Sequence, residues 1–333
     1  MGILKKIIQD NKITPRDIPQ LEVKLFWEGA KRRVALERFG VLLFLSTVIA
    51  AYGVLGDSTA TVIGAMIIAP LMMPIVATAA ALVMGDLNRA GYSCLIVIIG
   101  VVGVICVALI CGAIHPGVIS FTNNSQITAR ISPSLIDLMI ALASGIAGAF
   151  AVSRDDVADS LPGVAISISL VPPLSVTGIA LSQGQMVEAW GSLLLFITNF
   201  LSILLAGGAT FMALGLSAAS TDEMKKSIRR KVFVGIIIGT LLVVVQLAIT
   251  SYKVAKQSHL EYQAQEIALK WLDQSGFDLT KLKVMKDHLD LFITGSGELP
   301  PLSDFVTELN SKINADLQVR LEVISSQLEF YPE

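Results

Sequence analysis

Between residues 39 and 250 the chain is a succession of long apolar runs with few charges inside them. Such runs leave little choice of fold. In hydrocarbon every backbone amide and carbonyl needs a partner within the protein, so only helices and closed barrels cross a bilayer. A spanning helix takes about 20 mostly apolar residues, whereas barrel strands are about half as long and alternate in polarity. Seven runs fit the helical case: roughly 39–55, 60–83, 91–112, 135–153, 161–182, 190–215 and 232–250. Polar connections such as Gly56-Asp57-Ser58 and Gly85-Asp86-Leu87-Asn88-Arg89 join them.

Composition agrees. The 333 residues are 53% hydrophobic and 16% charged, against about 25% charged in soluble chains. That excludes a cytosolic enzyme with one buried core, a disordered chain and a nucleic-acid binder with a basic surface. Cys94, Cys106 and Cys111 share one apolar run, an odd set that reads as small hydrophobes rather than disulfides.

Basic residues near span ends orient the helices. The N-terminal segment 1–38 carries nine, and the 216–231 connection carries five. Arg89 and Arg154 fall on that same side, and Arg130 is alone on the other. The N-terminus is therefore expected in the cytoplasm. With seven spans, residues 251–333 are expected outside an inner (plasma) membrane. The first 35 residues lack a short apolar core with a cleavage site, so the first span is expected to act as the insertion signal. Leu25–Arg33 mixes bulky apolar and basic residues. It reads either as an interfacial helix or as an ordinary basic flank.

A shift of 99 residues aligns the chain with itself. Gly64, Ile67, Leu71, Pro74 and Thr78 meet Gly163, Ile166, Leu170, Pro173 and Thr177. Ala81, Leu82 and Gly85 meet Ala180, Leu181 and Gly184, and matches continue to Ile98 and Ile197. The repeats cover about 36–112 and 135–215. Each contains three spans, and an odd number of crossings makes the second copy enter in the opposite sense. The run 232–250 lies outside the repeat.

Both copies carry prolines inside a span: Pro70 and Pro74 in the first, Pro172 and Pro173 in the second. Proline removes a backbone donor and clashes with the preceding turn, so two broken helices are expected. Broken backbone survives at membrane depth only when buried in protein or facing a wet cavity. The expected ion or solute pathway therefore runs past Pro70, Pro74, Pro172 and Pro173, with hydroxyls at Thr78, Ser167, Ser169, Ser175 and Thr177 and the amide of Asn199. The competing reading is that the prolines only kink the helices and the hydroxyls bond their own turns. Asp57, Asp137 and Asp156 stand near span ends, where acids can act as gates or cation collectors. Ala141, Gly145 and Ala149, with Ser144 and Gly148 beside them, let another helix approach closely, within the chain or in a homo-oligomer.

Residues 251–333 return to soluble composition. A helix over about 253–274, strands at 282–284 and 289–294, a helix from Ser303 or Asp304 to about Ile313, and a strand at 317–325 predict an α-β-β-α-β domain. It has no nucleophile–base pair or metal-ligand cluster. No nucleotide-binding or metalloprotease motif occurs elsewhere. The expected class is thus an all-α polytopic membrane protein with a small C-terminal α+β domain, neither an enzyme nor a cofactor or metal binder.

The strings Ile63-Gly64-Ala65-Met66-Ile67-Ile68-Ala69-Pro70-Leu71-Met72-Met73-Pro74, Leu161-Pro162-Gly163-Val164-Ala165-Ile166 and Leu170-Val171-Pro172-Pro173-Leu174, followed by Thr198-Asn199, carry a resemblance. Over about 55–215 the chain resembles the bacterial and archaeal membrane family catalogued as domain of unknown function 389. The resemblance implies an integral membrane protein and no substrate. The two proline motifs and Asn199 are its signature positions. A secondary transporter or channel-like permease for an ion or small solute is the expected function. The alternative is a non-transporting scaffold or envelope sensor acting through 251–333. Expected partners are the lipid bilayer, the solute and further copies of the chain.

Overall fold

The computed structural model describes residues 6, 8–117, 121, 123–154, 170–219, 223–273, 275–284, 288–313 and 318–325. The chain divides into two compact units, Met1–Thr250 and Ser251–Glu333.

The first unit is helical. In order come α1 (Ile18–Leu25), α2 (Arg32–Leu55), α3 (Thr59–Ile68), α4 (Met72–Met84) and α5 (Leu87–Ile114). Next are α6 (Ser125–Ile131), α7 (Leu135–Val152), α8 (Val171–Ser182), α9 (Met186–Ser202), a π-helical turn (Ile203–Gly207) and α10 (Gly208–Ala213). α11 runs Glu223–Trp271, its later part belonging to the second unit. The helix expected to begin near 253 is therefore not separate, because no glycine or proline interrupts the chain between Gly239 and Trp271.

Among the described residues, five helical stretches are long and apolar enough to cross a membrane: Ile18–Leu55, Leu87–Ile114, Leu135–Val152, Met186–Ala213 and Arg230–Ile249. The α3–α4 pair, bent by 48°, adds a sixth if it counts as one span. The remaining expected span, 161–182, is described only from residue 170, where α8 forms. Large apolar side chains point outward along these helices, including Ile98, Ile99, Val102, Met139, Leu241 and Leu242. Such a surface suits lipid, and this is a membrane protein.

Glycines set the close approaches. A Cβ at Gly53 would stand 2.9 Å from Val62 Cγ2, so the α2–α3 hairpin is tight. A Cβ at Gly178 would meet the α5 backbone at Ile105 O (2.5 Å) and Leu109 N (2.8 Å). At Gly145 it would meet Ile203 Cα at 3.0 Å. The small-residue face of α7 is thus used inside the chain: Ala141, Ser144, Gly145, Gly148 and Ala149 are all buried, and α7 packs against the π turn. α4 is buried almost throughout, from Pro74 to Ala81.

In the second unit β1 (Phe277–Val284), β2 (His288–Gly295) and β3 (Gln318–Ser325) form one sheet in the order β1-β2-β3, with α12 (Leu302–Ile313) between β2 and β3. β1 and β2 are antiparallel, and β2 and β3 are parallel. Leu289, Leu291 and Ile293 pack with Ala264, Ile267, Trp271, Phe305 and Leu309 into a separate core. β1 starts five residues before the expected 282. Thr280 is bulged out of the ladder between Leu279 and Lys281, and the extra residue breaks the alternation that marks a strand in sequence.

Candidate functional site

The prolines fall where a helix begins. α3 ends at Ile68, Ala69 takes an extended conformation and α4 starts at Met72. Pro74 is the third residue of α4, and Pro172 and Pro173 are the second and third of α8. In a first turn the missing N–H has no intrahelical acceptor to lose. Each proline group thus marks the start of a helix rather than a kink within one. Pro70 lies in the gap itself, half-buried.

Neither start has a side-chain cap: Leu71 and Leu170 occupy the cap positions. A helix start exposes amides and a partial positive charge. Both starts share one buried cluster, which includes Leu71, Met72, Leu170, Val171, Phe196 and Ile203.

The nearby hydroxyls mostly face their own backbone. Thr78 Oγ1 donates to Pro74 O (2.8 Å), Thr177 Oγ1 to Pro173 O (2.9 Å) and Ser175 Oγ to Val171 O (3.1 Å). Ser192, on α9, donates across to Pro173 O at 2.7 Å and ties α9 to the start of α8. Asn199 is buried on α9, one turn before the π turn. π turns accompany functional sites in many helices. Ser167, Ser169 and Asp156 lie outside the described residues.

Asp57 and Asp137 organise local structure. Asp57, at φ 49°, accepts from Ser125 Oγ (2.7 Å) and Gln126 N (3.1 Å), so it caps the start of α6 from the α2–α3 connection. Those two donors hold its carboxyl below the usual carboxylate range. Asn124 joins the same junction, donating to Val54 O at 2.7 Å and accepting from Ile127 N at 2.9 Å. Asp137 closes a capping box with Ser134 at the start of α7. Arg130 folds back on α6, with Nη1 donating to Gln126 O.

Ser192 and Asn124 escaped the sequence reading. Ser192 did leave a trace, since it meets Ser93 in the 99-residue shift. Asn124 left none.

Residues 66–205 match the family described as Domain of unknown function (DUF389). The match lies within the membrane unit. The matched segment starts on α3 just before the break and ends within the π turn, so it encloses the starts of α4 and α8 and Asn199. It is shorter at both ends than the 55–215 likeness read from the motifs. An uncharacterised protein of the archaeon Methanocaldococcus jannaschii is 34% identical over 177 residues, which cover 53% of this chain and 54% of that protein. The chain thus spans about half the length of this curated relative. No solved structure matches.

Proposed function

We propose that the protein is a permease for an ion or small solute, with a pathway past the starts of α4 and α8. The observation that carries this reading is the pair of proline-bearing helix starts, uncapped by side chains, that lie in one buried cluster. Their positive ends favour an anion or the electronegative end of a polar solute.

The reading includes seven spans arranged as two inverted repeats of three. Support comes from the 99-residue register in the element starts: Met72 and Val171, then Leu87 and Met186. Gly85 and Gly184 both stand at φ 73°. Asp86 N donates to Ala81 O and Gln185 N to Ala180 O, each at 2.9 Å. The Thr78 and Thr177 bonds form a further matched pair. In this reading the N-terminus is cytoplasmic, the second unit is extracytoplasmic and the chain works as a homo-oligomer without enzymatic activity.

The test is flux into proteoliposomes across a panel of halides, oxyanions, small carboxylates and cations. At least one anion should move, and Pro173→Ala and Asn199→Ala should slow it by about tenfold or more. Folded protein that moves no member of the panel overturns the proposal.

The scaffold or sensor reading draws on the hydroxyls that bond their own turns and on the separate core of the second unit. Under it, deletion of 256–333 abolishes the cellular phenotype while Pro173→Ala leaves it unchanged.

A further inference from the structure

We propose that the groove between α1 and the first turns of α2 holds an anionic phospholipid, its phosphate against Lys31 and Arg38 and its acyl chains along Val23, Val34 and Ala35. The groove is open and encloses about 730 Å³. Lys31, Val34, Ala35 and Arg38 line its α2 side at helical spacing i, i+3, i+4, i+7, so they form one stripe. Val23 and Trp27 face them.

The charges around the groove sort into those engaged within the chain and those left over. Glu22 and Glu28 also line it, but Arg89 engages both carboxylates at 2.8 Å and lies over the Phe26 ring. Arg32 donates to Tyr92, and Arg33 pairs with Glu37 on the opposite face of α2. Lys31 and Arg38 have neither an ion pair nor a hydrogen bond among the described residues. Arg89 carries one charge against those two carboxylates, and Lys31 and Arg38 leave the groove and its Arg89 clamp with a net charge of +1 beside apolar surface.

Continuity with the outer apolar face decides between occupants. One and two turns beyond Arg38 on the same face are Val41 and Leu45, 59% and 48% exposed. Val34 is 46% and Val23 77% exposed. An occupant therefore meets Lys31 and Arg38 within the groove and, beyond Arg38, a run of lipid-facing apolar residues. A free phosphate leaves the apolar wall uncovered. An apolar protein segment buries Arg38 without a counter-charge, which is costly. A phospholipid satisfies both, and interfacial Lys and Arg attract an anionic headgroup.

The experiment uses the full chain in nanodiscs of equal phosphatidylcholine and phosphatidylglycerol, with retained lipid identified by native mass spectrometry. Phosphatidylglycerol should be enriched about tenfold over phosphatidylcholine. The Lys31→Gln/Arg38→Gln double variant should bring the two to parity, and Arg33→Gln should keep the enrichment. If the double variant aggregates, each single variant should lose about threefold. Excess inorganic phosphate should leave the enrichment unchanged. Undiminished enrichment in the variants, displacement by phosphate, or a copurifying protein that excludes the lipid overturns the proposal.

Discussion

Replacing Gly178 by alanine tests the contact on which the position of α8 depends. The added Cβ would stand 2.5 Å from Ile105 O, 2.8 Å from Ala108 Cβ and 2.8 Å from Leu109 N. Ordinary van der Waals contact begins at 3.4 Å, and two of the three atoms are helix backbone that cannot rotate away. α8 must therefore shift by several tenths of an ångström or more. Overpacking of this kind costs about 1–3 kcal/mol. The better helix propensity of alanine returns about 0.5–1 kcal/mol. Gly91→Ala on α5 is the control: nothing lies within 4 Å of its Cβ, so it keeps only the propensity gain. The two variants should thus differ by the packing cost alone. At roughly 2–4 °C per kcal/mol, their melting temperatures in detergent should be about 2–12 °C apart, with Gly178→Ala the lower. The same shift displaces Pro172 and Pro173 and should slow any flux. A Gly178→Ala protein that melts at or above Gly91→Ala refutes the close α5–α8 approach.

Other expectations concern separate parts of the molecule. Asn124→Ala removes two bonds of a buried side chain and should cost about 1–3 kcal/mol, read as a lower melting temperature. The native carboxyl of Asp57 titrates below its ordinary 3.8. Its stabilisation is therefore complete above about pH 4 and is lost as pH falls through the lowered value. Melting temperature should drop there in the wild type and less steeply in Asp57→Asn. Leu291 is fully buried in the second unit, so Leu291→Ala should cost about 2–5 kcal/mol. Fluorescence of Trp271, which lies against Phe305 at 5.4 Å, should report the loss, while detergent-solubilised α2–α10 keeps its protease resistance.

The positions most legible in the sequence were those set by local chemistry. Long apolar runs predict helices because lipid offers the backbone no partners. Pro74 and the Pro172-Pro173 pair mark the first turns of α4 and α8 because proline acts on the turn that contains it. Their role as helix starts was less visible, because a proline at the third helical position and one inside a helix look alike in a single sequence. The bulge at Thr280 disguised the first half of β1, since one unpaired residue reverses the alternation. The unbroken α11 was hidden by a change of composition near 251 that alters the surroundings of a helix without ending it.

Sequence alone determined that this chain enters a membrane, that the helix carrying Pro70 and Pro74 is interrupted, and that residues 251–333 form an α-β-β-α-β unit. These follow from hydration and backbone sterics, which act over a few residues. Tertiary structure decided which polar groups meet. It turned Asp57 into the cap of a helix that starts 68 residues later at Ser125. It sent Ser192 to Pro173 O and buried the small face of α7 against the π turn. It also gathered the starts of α4 and α8 into one cluster. Such pairings depend on which surfaces the packed helices bring together, and no spacing along a single chain encodes that.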